Sequence, residues 1–256
     1  KEAGLRAVII TGGGEPTLYP QINELITFLK NLNLKIAIIT NGTNADKIHD
    51  WNVFEWVRIS VNDFPGWERR ISIPPIRGTL GFSVVYINQG VKYFRKVLNL
   101  CQRLGGDYIR VLPDCLEIDE TAFRKKHDEI EDILQLINNP LFFHQLKFHH
   151  APDSSICYQS YLRPYLSEVN GGTVFPCDSL VLNEGNAYFS EKYKLCDPQD
   201  ILKYLKGEIK PSFDPRKDCK QCVFCFNVEM LKNWVHSNAH YSNLKKGGEI
   251  EHKDFI

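Results

Sequence analysis

The densest chemical signal in the chain is Cys219-x2-Cys222-x2-Cys225. Thiolates two residues apart turn toward one metal centre, and this spacing matches the first three ligands of an iron–sulfur ligand run. The fourth cysteine and the proline of that run are missing, because Val228 and Glu229 follow. Further ligands must come from elsewhere, and Cys157 and Cys177 are the candidates. Gly172 lies five residues before Cys177 and predicts a hairpin there. Four thiolates also suit tetrahedral zinc, so spacing alone leaves iron–sulfur and zinc both open.

The second signal is Gly12-Gly13-Gly14-Glu15-Pro16. Glycines at a turn let backbone approach a ligand closely and leave main-chain groups to bind it. The run lacks the Gly-Lys-Ser/Thr of a P-loop and the Gly-x-Gly-x-x-Gly of a dinucleotide fold. A tight strand exit with no ligand would use the same glycines.

These groups need elements to position them, and the first half alternates strand and helix. Strands are predicted at Ala7–Thr11, Lys35–Thr40, Trp56–Val61, Phe82–Ile87 and Tyr108–Leu112, from short β-branched runs closed by turn residues. Pro20 opens a helix with Ile22, Leu25, Ile26 and Leu29 at helical spacing. A second helix runs from about Gln89 to Leu104, and a charged amphipathic helix covers 117–139, whose charges read as a solvated face. Pro65, Pro74 and Pro75 leave little room for a helix after the third strand. Such alternation implies an α/β fold with a parallel sheet, and ligands at the C-terminal ends of its strands. Beyond about Pro140 the alternation stops and spaced cysteines take over.

With these elements the chain resembles the radical S-adenosylmethionine (SAM) superfamily. There a Gly-Gly-Glu-Pro turn, matched by Gly13, Gly14, Glu15 and Pro16, ends a strand of a partial barrel, and its backbone binds the methionine end of SAM. Thr40 and Asn41, Ser60 and Asn62, and Ser83 and Arg110 follow in the order of further SAM-contacting positions, with Val111–Pro113 near the adenine. The resemblance covers residues 5–115. It implies a partial (β/α)6 barrel lacking its first strand over 1–140, a small cysteine-rich α+β module over 141–236, and a charged tail over 237–256. The late cysteines resemble the twitch form of the SPASM auxiliary-cluster domain. That likeness selects Cys157, Cys177, Cys219 and Cys222 as ligands of one auxiliary [4Fe–4S] cluster, with Cys225 as the alternate.

The implied activity is reductive cleavage of SAM at a catalytic [4Fe–4S] cluster, giving a radical that abstracts hydrogen from a small-molecule or peptide substrate. The implied electron donor is a flavodoxin or ferredoxin, and the implied location is the cytoplasm. The family's Cys-x3-Cys-x2-Cys motif is not among these residues. The chain opens on Lys1, and its one methionine is Met230, so the motif is expected upstream. The alternative is a non-catalytic protein with a zinc-stapled module and a vestigial SAM pocket.

Composition narrows the field. Of 256 residues, 43% are hydrophobic and 24% charged, with no net charge, so no nucleic acid or anionic membrane partner is expected. No apolar run is long enough to span a bilayer. Eight cysteines without a secretory signal favour metal binding over disulfides. Cys101, on an apolar helical face, reads as a core thiol, and Cys115, just past a strand end, as core packing. His236 and His240, four apart, read as a solvated terminal helix.

Overall fold

A computed structural model describes residues 2, 4–12, 14–62, 65–114, 117, 119–147, 151–167, 172–178, 191–219, 222, 224–236, 252 and 255. The chain forms two compact units, divided between Lys147 and Phe148, with a few terminal residues exchanged.

The first unit is a six-stranded parallel sheet in sequential order. Its strands are β1 (Ala7–Ile10), β2 (Lys35–Thr40), β3 (Phe54–Val61), β4 (Thr79–Tyr86), β5 (Tyr108–Pro113) and β6 (Phe142–His144). The crossovers carry α1 (Ile22–Asn31), α2 (Trp67–Arg70), α3 (Val91–Leu104) and α4 (Glu120–Ile137). Among the described residues, the proline-rich stretch after β3 holds only the four-residue α2.

Strand alternation divides the sheet into two faces. Ile36, Ile38, Val57, Ile59, Phe82, Val84, Ile109 and Val111 pack under the helices as the main core. Cys101 belongs to that core, and burial pushes its thiol up to about 11. The core face of α4 is drawn from Phe123, His127 and Ile130, which recur at helical spacing. Asp119 caps that helix by accepting from the Ala122 N–H at 2.7 Å.

The sixth strand is absent from the sequence reading. Its three residues follow Asn139-Pro140, where turn chemistry outweighs so short an apolar run. Pairing with β5 makes it a strand, in register Ile109 with Phe142 and Val111 with His144.

In the second unit β7 (Tyr165–Ser167) pairs antiparallel with β8 (Thr173–Phe175). Gly172 enters β8 at φ +109°, a conformation that L side chains rarely adopt. The expected hairpin before Cys177 is therefore present. Val174, Phe175, Tyr193, Leu195, Cys196, Tyr204 and Phe213 form its core. Its short helices are α5 (Gln159–Leu162), α6 (Ile201–Leu205) and α7 (Pro215–Asp218), followed by the longer α8 (Cys225–His236). Among the described residues no helix is long and apolar enough to cross a membrane.

Candidate functional site

The glycine turn leaves β1 at the C-terminal edge of the sheet, and Glu15 fastens it to β2. One carboxylate oxygen accepts from the Thr17 N–H at 3.1 Å, the Thr17 hydroxyl at 2.8 Å and the Thr40 hydroxyl at 2.5 Å. The other accepts from the Asn41 N–H at 2.7 Å. Thr40 Oγ1 in turn accepts from the Gly42 N–H at 3.1 Å. Asn41 Oδ1 accepts from the Thr43 N–H and hydroxyl, which closes the next turn. The polar side chains of Glu15, Thr40 and Asn41 therefore hold backbone in place. The sequence marks these positions without showing that task. Pro16 opens a single 3-10 turn, where its missing N–H costs nothing.

Gly14 is exposed, and a β-carbon built on it meets nothing within 4 Å. Gly42 is different: φ is +70°, and an added β-carbon comes within 3.1 Å of Ile71 and 3.2 Å of Ile59. Gly42 serves the fold, while Gly14 leaves open space above its backbone. Gly13 lies outside the described residues, as do Cys115 and His240.

If Glu15 is the fastener, Glu15→Gln should cost the turn about 2 kcal/mol, the scale of hydrogen bonds to a charged group. The amide group brings an N–H donor where a donor is already received. Exchange of the Asn41 amide should accelerate roughly thirtyfold. Unchanged exchange would release Glu15 from this role.

Ser60, Ser83 and Arg110 stand in one register row across β3, β4 and β5. Their neighbours Val57, Ile59, Phe82, Val84, Ile109 and Val111 form the helix-side core, so the row belongs to the opposite face. Arg110 donates to the Ser83 hydroxyl from Nη2 at 2.8 Å and from Nε at 3.3 Å. Asn62, two residues beyond Ser60, is exposed past the end of β3.

Two residues below, the same face carries Arg58, Gly81 and Tyr108 in the next like-facing row. The Tyr108 ring lies so close over Gly81 that a β-carbon there would overlap it at 2.0 Å. Arg58 Nε donates to the Tyr108 hydroxyl at 3.2 Å, and its guanidinium lies 4.8 Å over the Trp56 ring. Trp56 also meets Phe255 edge-on at 5.6 Å. These large side chains occupy the lower part of the face, and the smaller polar row lies toward the strand ends. Sequence reasoning missed this floor; its signal is a glycine, Gly81, in register with an aromatic residue on the next strand.

In the second unit, burial pushes the Cys222 thiol up to about 12; the Phe224 N–H pulls it back, while the nearby Cys157 and Cys225 raise it further. Burial also raises the Cys157 thiol, against N–H groups of Ser160 and Gln159 that lower it. Cys157, Cys222 and Cys225 therefore lie in one electrostatic neighbourhood. Cys219 ends α7, which Asp214 caps through the Arg216 N–H at 3.1 Å. Cys157, Cys177 and Cys219 pack on the core that contains Cys196. Cys196 bridges to Val174, and burial raises its thiol to about 11, so it reads as a core residue. No described cysteine is in a disulfide, and no group of three metal-ligating side chains is closed to metal distance among the described residues. His236 Nε2 shares a 2.8 Å hydrogen bond with the Tyr158 hydroxyl.

No protein-family model matches the chain. Two curated relatives do. An S-adenosylmethionine-dependent nucleotide dehydratase of Thermoplasmatales archaeon (strain ISO4-H5) is 31% identical over 67 residues, 24% of this chain and 23% of the relative. One of Flammeovirga pacifica is 38% identical over 53 residues, 20% of this chain and 18% of the relative. The matched part thus spans about a fifth of the relatives' length. Among solved structures, Streptococcus suis SuiB bound to precursor peptide SuiA is 15% identical, covering 96% of this chain and 63% of that one at a TM-score of 0.47. TYW1 with a lysine-pyruvate adduct is 19% identical, covering 52% of this chain and 50% of that one at a TM-score of 0.39. The sheet defines an α/β protein of parallel crossover units. The curated likeness is thus to proteins named as S-adenosylmethionine-dependent, over about a fifth to a quarter of this chain.

Proposed function

We propose that the first unit is the SAM-binding part of a radical SAM enzyme, and that the second holds an auxiliary iron–sulfur cluster. The observation that carries this reading is the polar row Ser60–Ser83–Arg110 on the face turned from the helix core, with the open Gly14 turn at the same sheet's strand ends. A small ligand suits the strand ends of a parallel sheet. Main-chain groups at Gly14 bind the methionine end of SAM there. Arg110, braced by Ser83, presents a fixed cation to its carboxylate or to ribose oxygens. Asn62 and Ser60 add polar contacts, and Glu15, Thr40 and Asn41 keep the turns in place. The Trp56–Arg58–Tyr108 floor excludes water from below.

A catalytic [4Fe–4S] cluster would supply the electron for reductive cleavage of SAM and so initiate hydrogen abstraction from the substrate. Its Cys-x3-Cys-x2-Cys ligands are not among these 256 residues. For the auxiliary cluster, Cys157, Cys177, Cys219 and Cys222 are the proposed ligands, with Cys225 as alternate. The donor set fits: sulfur is the preferred ligand of such clusters, and N–H groups already point at Cys157 and Cys222. The relatives named above act on nucleotides; only SAM dependence is carried over. The substrate class is a small molecule or a peptide, with a flavodoxin or ferredoxin as reductant, in the cytoplasm.

Calorimetric titration of SAM into the protein tests the pocket. Binding should be measurable, and Arg110→Ala should weaken it roughly tenfold, the worth of one charge-assisted contact. Equal affinity in both proteins would remove the row from the site.

A further inference from the structure

On the helix side of the sheet's last strand, away from the polar row, lies a buried relay of ring nitrogens. His127 of α4 is 7% exposed, and the His144 side chain on β6 is 6% exposed. His127 Nδ1 is 2.7 Å from His144 Nε2. His127 Nε2 is 2.8 Å from the Lys147 carbonyl oxygen, and His144 Nδ1 is 2.9 Å from Glu131 Oε1. The Phe123 ring closes the other side of His127 at 4.9 Å.

The hydrogen bonds fix the proton count. A carbonyl only accepts, so His127 Nε2 carries a proton. A carboxylate only accepts, so His144 Nδ1 carries another. One further proton must lie between His127 Nδ1 and His144 Nε2. Three protons on four ring nitrogens make one neutral and one charged imidazole. With two protons, the Lys147 contact, the Glu131 contact or the ring–ring contact faces lone pair to lone pair. With four, two N–H groups face each other.

We propose that His127, His144 and Glu131 form a one-proton latch that fastens β6 and residues 145–147 to α4. The segment needs a fastener. β6 has three residues and lies at the edge of the sheet, held by β5 on one side. Its continuation is tied by the Gln145 N–H to the Val111 carbonyl at 2.8 Å, while Gln145 Oε1 is buried with no hydrogen-bond partner among the described residues. Lys147, whose carbonyl the latch grips, ends the first unit's main stretch.

The latch gives docking a maximum in pH. Among the described residues, the charged and titratable groups that act on His127 include Asp128 and Glu131 from α4, His144 from β6, and Lys147 through its carbonyl. Burial lowers the His127 pKa, against the pull of the Lys147 carbonyl. A lowered pKa means that this contribution is full above the ordinary imidazole range and is lost as pH falls through the folded value. At higher pH the shared extra proton leaves, and one of the three contacts breaks.

Hydrogen exchange resolved to the amides of 142–147 tests this from about pH 5 to pH 9, around the ordinary imidazole range and corrected for intrinsic rates. Protection should peak inside that range and fall on both sides by roughly threefold to tenfold, a charge-assisted hydrogen bond discounted for the half-exposed Glu131. Glu131→Gln should weaken the alkaline fall and leave the acid one. His144→Gln, which can still donate to His127, should flatten the profile. Nitrogen-15 spectra of the rings should show His127 protonated at Nε2 on the plateau. A flat wild-type profile, an unchanged profile in His144→Gln, the opposite His127 tautomer, or equal loss of protection across all six strands would overturn the latch.

Discussion

Anaerobically reconstituted Cys157→Ala/Cys222→Ala protein should carry one [4Fe–4S] cluster's worth less iron and sulfide than the parent, and its second unit should unfold first. Cys157 lies close enough to raise the cost of ionising Cys222, and partial burial raises both thiols. Burial without a cation favours the protonated thiol, so the metal-free unit is expected to be weak in alkali. Its thiol pKa values are raised in the fold, so their contribution is complete below the ordinary thiol value of 9.0 and is lost as pH rises toward about 12. Bound metal removes that loss, because the thiolates are then formed and neutralised. The second unit should therefore resist pH 10 when loaded and lose protection there when stripped. Iron and labile-sulfide analysis, with hydrogen exchange over 157–225, reads both effects. Iron unchanged by the double substitution would discard these ligands. A preparation that takes up zinc and no iron would discard the cluster.

The parallel sheet was legible in the sequence because its strands are β-branched runs, such as Lys35–Thr40, bounded by turn residues. The row Ser60, Ser83 and Arg110 was legible only as polar residues on three strands. That they share a register depends on how β3, β4 and β5 pair, which no local pattern carries. The three residues of β6 were not legible, since a strand that short is defined by its partner. The same holds for His127. It sits on the core face of an amphipathic helix, where a histidine gives no apolar signal, and its partner His144 arrives seventeen residues later. Glu15 shows the limit in another way. Its position in the turn was evident, but a carboxylate's partners, here Thr17, Thr40 and the Asn41 N–H, are a matter of tertiary distance.

Gly14→Val should leave the first unit folded and weaken SAM binding roughly tenfold to a hundredfold, the loss of one or two main-chain contacts. The fold should tolerate the change because the added β-carbon meets nothing within 4 Å and the backbone is outside the left-handed region. A surface substitution of that kind costs about 0.5 kcal/mol or less. The new side chain instead fills the space through which a ligand reaches the turn's backbone. Gly42→Val supplies the contrast. At φ +70°, and crowded by Ile59 and Ile71, it should lower stability as well as binding. Calorimetry of SAM binding, beside thermal unfolding of each variant, separates the two glycines. If Gly14→Val bound SAM as tightly as the parent, the open turn would be a strand exit and nothing more. If it bound weakly only because it unfolded, the free space above Gly14 would not be the reason.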